Sequence, residues 1–279
     1  MQHRIFSLGS GLCLGLMVGG AQAALKPEVV ANKNVVYDTN LNITLTADAN
    51  LLGTLEAQAI ASTGSDSQLI STIINDSHGY IYDTPNDIDN GYYALSPNDF
   101  DFGSSNGGGK TDWWGANAFI NYLNAIDYAG SSRWRLPATP DSSSSLGYYR
   151  TGSELGGLYY NSLGIGGAYD AHGNSLANYG IYGNGTGGGQ ADALGPFDNV
   201  QSFAYWSGTQ ALSLTSDFSW YLNTYGGLQQ ATSKDSEFYV WALCDGNISI
   251  PVPEPSEAAM LLSGLALFGA RLRRQRGLS

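Results

Sequence analysis

Cationic side chains are scarce along most of this chain. Between Ala24 and Val252 there are seven Lys and Arg against 22 Asp and Glu, a net charge of −15. Such a surface repels phosphate backbones and anionic lipid, which excludes a nucleic-acid role and leaves solubility and attraction of cations as its consequences. Cysteine is nearly absent. Cys13 sits near the start and Cys244 stands alone in the rest, so the segment after Ala24 has no partner for an intrachain disulfide. Within FYVWALC, Cys244 reads as a small buried hydrophobe rather than a nucleophile. Histidine is equally sparse: His78 and His172 are far apart, without the helical pair that a zinc protease uses. No period of about 20 to 50 residues recurs, which excludes a solenoid or propeller.

What is present is most informative at the two ends. The first residues, MQHRIFSLGSGLCLGLMVGGAQA, run from a basic start through an apolar stretch to small residues. That layout predicts a secretory signal cleaved after Ala21-Gln22-Ala23, with Ala24 as the new N-terminus. At the other end, Ala258 to Ala270 (AAMLLSGLALFGA) carries no charge and is followed by Arg271, Arg273, Arg274 and Arg276. The run is shorter than the roughly 20 residues of an ordinary span. With the arginine stems snorkelling to headgroups it becomes a tight transmembrane helix, its basic end cytoplasmic. Val252-Pro253-Glu254-Pro255 precedes it, and the two prolines hold the backbone extended.

Between the ends lie about 230 residues, a length suited to one sizeable domain, rich in Gly, Ser, Asn, Asp, Tyr and Trp. Alternation predicts one or two strands in Asn34–Ala47, and short helices are read over Leu51–Ala61 and Ser67–Ile74. Gly79–Leu95 reads as a hairpin across an Asp/Asn/Pro turn. Thr111–Ile126 is the clearest helix, capped by Thr111 or Asp112, with Trp113, Ala116, Ile120, Leu123 and Ile126 on one face. Ser132–Pro137 and Tyr205–Thr209 read as strands, Thr151–Leu163 as a second helix, and Gly164–Gly195 as one long excursion. Ser219–Thr224 is expected to pair with Phe238–Cys244. Helices set among short strands predict an α+β fold.

Two resemblances follow from these residues. Pro253-Glu254-Pro255, the short span and the arginine cluster together resemble the PEP-CTERM sorting signal of Gram-negative bacteria. That resemblance implies an exosortase-type processing enzyme, tethering to the inner membrane before processing, and then transfer to the outer envelope or extracellular matrix. The landmarks VYDTNLNITLTADAN (36 to 50), SRWRLP (132 to 137), SELGGLYYNSLG (153 to 164), GPFDNVQSFAYWSGT (195 to 209), SWYLNTYGG (219 to 227) and YVWALCDG (239 to 246) resemble the DUF1566, or Lcl C-terminal, domain. This implies a C-type-lectin-like α+β domain with two main helices, short antiparallel strands and long Gly/Ser/Asn-rich loops. The chain departs from it in lacking cysteines in SSSSLGYYRTGSEL and in having Leu45 where many relatives have Trp. Its signature residues Trp134, Arg135, Glu154, Trp206 and Trp220 are read as structural. Arg135, flanked by Trp134 and Leu136, requires a carboxylate, with Glu154 and Asp141 as candidates.

For function, a non-catalytic module binding extracellular polysaccharide is favoured. Exposed aromatic rings stack on sugar C–H faces while amides and carboxylates bind hydroxyls, chemistry present in residues 83 to 93, with Tyr92 and Tyr93, and in 166 to 189. Asp83, Asp87 and Asp89 are candidate calcium ligands, an Asx-rich turn being the alternative. Neither E-P-N nor Q-P-D, the tripeptides of many calcium-dependent lectins, occurs. A structural or adhesive matrix protein is the second reading. A carboxylate-based glycan-active enzyme is the third, since two acids suffice for that chemistry. The paired-cysteine oxidation of formylglycine-generating enzymes, which share the broad fold, has no second cysteine here.

Overall fold

The computed structural model describes residues 24–83, 91–100, 108–170, 172–182 and 190–250. Its N-terminal part contains β1 (Leu25–Val30), β2 (Lys33–Asp38), β3 (Ile43–Thr46), α1 (Leu51–Thr63), α2 (Ser67–Asp76), β4 (Tyr80–Tyr82) and β5 (Tyr92–Ala94). The middle contains β6 (Lys110–Thr111), α3 (Trp113–Ala125) and α4 (Glu154–Gly157). The C-terminal part contributes β7 (Gln190–Leu194), β8 (Phe197–Gln201), β9 (Ala204–Gln210), β10 (Phe218–Asn223), β11 (Leu228–Ser233), β12 (Phe238–Tyr239) and β13 (Leu243–Asp245). The fold is α+β. One sheet has the order β1-β2-β3-β13 and a second β11-β10-β9-β12-β6, with β4-β5 and β7-β8 as separate hairpins. Pairing is antiparallel except between β12 and β9.

Local chemistry explains the element ends. The loop between β1 and β2, Ala31-Asn32, has both φ positive, at 47° and 62°, the mirror-image turn whose twist matches the strands it joins. The alternation in Asn34–Ala47 resolves as β2 and β3, with Val36 opposite Leu45. Asn50 caps α1 by accepting from the Gly53 amide, and Gly64, at φ 83°, ends it. Asp112 caps α3 through the Gly115 amide.

Several expectations are corrected. The helix expected over Thr151–Leu163 is present but shorter, running Glu154–Ser162, and it widens from α (Glu154–Gly157) to π (Leu158–Ser162); α1, read only as a short helix, is 13 residues long like α3. A Cβ on Gly157 would stand 2.8 Å from a Leu41 methyl, so this segment packs backbone-close against the β2–β3 turn. Ser132–Pro137 is not a strand; Arg135 makes one isolated bridge to Leu243. Ser219–Thr224 does not pair with Phe238–Cys244. β10 lies between β9 and β11, and β11 falls in the polar stretch after Gly227 because it is an edge strand. The excursion Gly164–Gly195 ends in β7.

Two hydrophobic clusters form the interior. One gathers Leu52, Ile70 and Ile73 from α1 and α2 with Trp113, Trp114, Phe119 and Leu123 of α3, plus Trp134 and Trp206. The other joins Val36, Leu45, Leu155, Leu158, Phe197, Tyr205, Leu222 and Trp241. All six tryptophans are buried, and each indole N–H has an acceptor. Trp113 donates to Ser207 O, Trp134 to Tyr128 O, Trp206 to Thr111 O and Trp241 to Thr46 O, while Trp114 and Trp220 donate to Asp83 and Asp141. Cys244 is fully buried, and burial pushes its thiol up to about 11.

Arg135 finds Glu154, not Asp141. Its guanidinium forks onto both Glu154 oxygens at 2.7 Å each and also reaches Asp245. The Glu154 hydrogen bonds, offset in part by desolvation, hold the guanidinium above its ordinary pKa. Asp141 instead accepts from the Ser213 amide at 2.9 Å, the Ser213 hydroxyl at 2.7 Å and Trp220 at 3.1 Å. A double-mutant cycle with R135A, E154A and the pair, followed by urea unfolding, should return a coupling of about 1 kcal/mol, since the pair is bidentate but partly solvated. Additive effects would show that solvent screens the pair completely.

Candidate functional site

Asp76 ends α2, and the chain then reverses through His78 and Gly79, both left-handed at φ 57° and 81°. The His78 amide bonds Asn75 O at 2.9 Å and the Gly79 amide bonds Ile74 O at 3.0 Å, closing the helix end. This reversal launches β4 alongside α3 and leaves a groove of about 590 Å³ between them. Its walls are Asp76, Ser77 and His78 on one side, Tyr80 and Tyr82 on the second, and Asn117, Asn121 and Asn124 of α3 on the third. Asn121 donates to the Ser77 hydroxyl at 3.1 Å, and Asn117 back-bonds to Trp113 O at 2.7 Å. Asn124 has a structural task, donating to Trp134 O and accepting from the Trp134 amide.

The hairpin beside the groove sorts its aromatic residues by strand alternation. Tyr82 is opposite Tyr92 and Tyr80 opposite Ala94, so Tyr80, Tyr82 and Tyr92 share the outer face. They are 44%, 59% and 43% exposed. The Tyr92 ring meets Tyr80 and Tyr82 edge-on, with centroids at 5.0 and 5.2 Å. Ile81 and Tyr93 point the other way. Tyr93 stacks flat on Trp114 at 3.8 Å and donates to Asp99 at 2.9 Å. Burial, then the hydrogen bond to Asp99, raises its phenol well above the ordinary value.

The expected site residues therefore divide. Tyr92 lies on the exposed face, whereas Tyr93 is half-buried and packs against the core. Asp83 faces inward: it accepts from Lys234 Nζ at 2.7 Å and from Trp114 Nε1 at 2.8 Å, and its side chain is 1% exposed. That position makes it a partner of buried groups rather than an open calcium ligand. Asp87 and Asp89 lie outside the described residues. So do Ala21, Ala23, Pro253, Glu254, Pro255 and Arg271, Arg273, Arg274 and Arg276, as does Gly103–Gly107 (GSSNG), a G-x-S-x-G spelling that sequence reasoning passed over. Ala24 is described, and its carbonyl accepts from the Thr39 amide. Among the described residues no group of three or more His, Cys, Asp or Glu is placed to hold a metal, and no helix is long and apolar enough to cross a membrane. Trp134, Trp206 and Trp220 are buried, as a packing role requires.

Sequence reasoning missed Tyr80 and Tyr82 as surface groups and missed Lys234 altogether. The first two were within reach, because a hairpin register centred on the turn puts Tyr80, Tyr82 and Tyr92 together. Lys234 sits in the polar run QQATSKDSE and gives no local signal.

In the described part of the groove wall Asp76 is the one carboxylate, so the two acids of a glycoside-cleaving site are not brought together there. Comparison with protein-family models, with curated proteins and with solved structures gives no match.

Beneath the hairpin, Asp112 is held at about 8, far above the ordinary carboxylate range. Burial is the main cause; Asp99 and Asp235 add to it, and the Gly115 and Trp114 amides oppose it. A raised folded value means the contribution to stability is complete below the unfolded value near 4 and is lost as pH rises through about 8. D112N keeps the helix cap and removes the titration. Between pH 5 and 8.5, wild type should therefore lose more stability than D112N, by on the order of 1 kcal/mol per pH unit at most. Equal urea-midpoint losses in the two proteins would clear Asp112 of that role.

Proposed function

We propose that this chain is an exported, non-catalytic module that binds extracellular polysaccharide through the tyrosine face of the β4–β5 hairpin and the adjoining groove. The observation that carries the reading is the adjacency of three exposed tyrosines to a trough walled by Asn117, Asn121, Asp76 and His78. Flat rings beside amides and a carboxylate supply both halves of sugar recognition: stacking for C–H faces and hydrogen bonds for hydroxyls. The DUF1566 resemblance, with its C-type-lectin-like architecture, supports the same reading. The PEP-CTERM resemblance supports delivery by an exosortase-type enzyme to the envelope or matrix, where such polymers lie. Calcium, if used, would involve Asp87 and Asp89 rather than Asp83.

Co-sedimentation of the full chain with its host's extracellular polysaccharide, with and without a calcium chelator, tests this. Saturable binding is expected, weakened about tenfold by Y80A combined with Y82A. Absence of binding in both conditions would overturn the reading in favour of a structural or adhesive matrix role.

A further inference from the structure

Lys234 and Asp83 are separated by 151 residues in the chain, yet Nζ lies 2.7 Å from Oδ1 with the two side chains 0% and 1% exposed. Each is fixed by its backbone. The Asp83 amide bonds Gly91 O at 2.7 Å, the Lys234 amide bonds Asp217 O at 3.0 Å, and the Lys234 carbonyl accepts from the Trp113 amide at 2.9 Å. The Trp113 ring sits 4.9 Å from Nζ, and Trp114 Nε1 donates to Asp83 Oδ2 at 2.8 Å. An amine and a carboxyl group are thus held in contact, walled by two indoles and shut off from solvent.

We propose that these two side chains are the halves of an intramolecular amide cross-link, which the folded chain forms by itself with loss of one water. Taking both ions out of water is costly, and transfer of one proton across the hydrogen bond removes both charges at once, leaving a neutral amine and a neutral carboxylic acid. The proton goes to Oδ1, the oxygen that Nζ touches. The lone pair freed on Nζ then attacks Cγ. Negative charge develops on Oδ2, where the Trp114 N–H already points, as a donor aimed at a developing oxyanion should. Collapse of the tetrahedral carbon breaks the Cγ–Oδ1 bond, and Oδ1 leaves as water with a second proton from nitrogen. The ammonium and carboxylate become one amide and one water, balanced in atoms and charge, with no oxidant or co-reactant. Contact enforced by the fold supplies the proximity that the uncatalysed condensation lacks. The product ties the hairpin beside the groove to the β11–β12 connection covalently, in a domain whose single cysteine permits no internal disulfide.

The test is mass spectrometry of a protease digest of the full chain, purified folded from its host. A branched peptide joining the Asp83 segment to the Lys234 segment, lighter by one water than its two linear parts and uncleaved by trypsin after Lys234, is expected. D83N should give the same branched peptide by loss of ammonia. K234R, which keeps the cation and lacks the reactive amine, should give only linear peptides. Complete recovery of linear peptides from folded wild type, including after prolonged incubation, would overturn the proposal, and that readout does not depend on either variant folding.

Discussion

The buried contact between Lys234 and Asp83 is the constraint on which the exposed hairpin depends. A two-stranded hairpin with three residues per strand is marginal alone in water, and β4–β5 has that size. It is held from below by three contacts: Asp83 on Lys234, the Trp114 indole on Asp83, and the Tyr93 ring on Trp114. All three lie on its inner face. The outer face is left free of structural duty, which is what allows Tyr80, Tyr82 and Tyr92 to stand in water. Removing either side chain before the amide bond forms strands the other, buried and without its partner, at a cost of about 3–5 kcal/mol, so the groove wall and the core beneath it are energetically one unit.

Tryptophan does in this chain what disulfides do in many exported domains. The indole of Trp241 bonds to Thr46 across 195 residues, those of Trp206 and Trp113 tie β6 and α3 to β9, and that of Trp220 reaches Asp141 across 79 residues. Each is a large apolar body fixed by one directional bond, so it fills volume and sets register together. Such ties act only once the chain is folded, whereas a covalent link also restricts the unfolded ensemble.

Legibility in the sequence followed the range of the interaction. α3 was readable because its cap, Asp112, and its buried stripe from Trp113 to Leu123 are close in sequence; Ile126, read onto the same face, is instead the C-cap and 47% exposed. That Arg135 needs a carboxylate was readable because Trp134 and Leu136 signal that the guanidinium is drawn inward, but the choice of Glu154 over Asp141 came only with the fold. The hairpin was readable from its turn residues. What failed was non-local or unpatterned. β11 is polar because it lies at a sheet edge, so it resembled a linker, and the strand character of SRWRLP dissolved because its partner offers one bridge only. Asp83 was grouped with Asp87 and Asp89 by spacing, since nothing near it announces a lysine 151 residues away.

The same charge distribution bears on what the groove accepts. The segment from Ala24 to Val252 carries a net charge of −15, and Lys234, buried beneath the hairpin, is already matched by Asp83. Asp76 stands on the groove wall itself. An acidic polymer approaching this surface meets repulsion that only bound cations or high ionic strength relieves. On the proposed reading a neutral polysaccharide would meet none, and its hydroxyls would be donors to Asp76 and to the Asn117 and Asn121 amide oxygens. For a polysaccharide-binding module built this way, selectivity for uncharged chains follows from the field of the whole domain before any contact in the groove is made. Contacts with Tyr80, Tyr82 and Tyr92 would then discriminate among neutral sugars by the shape of the C–H face each presents.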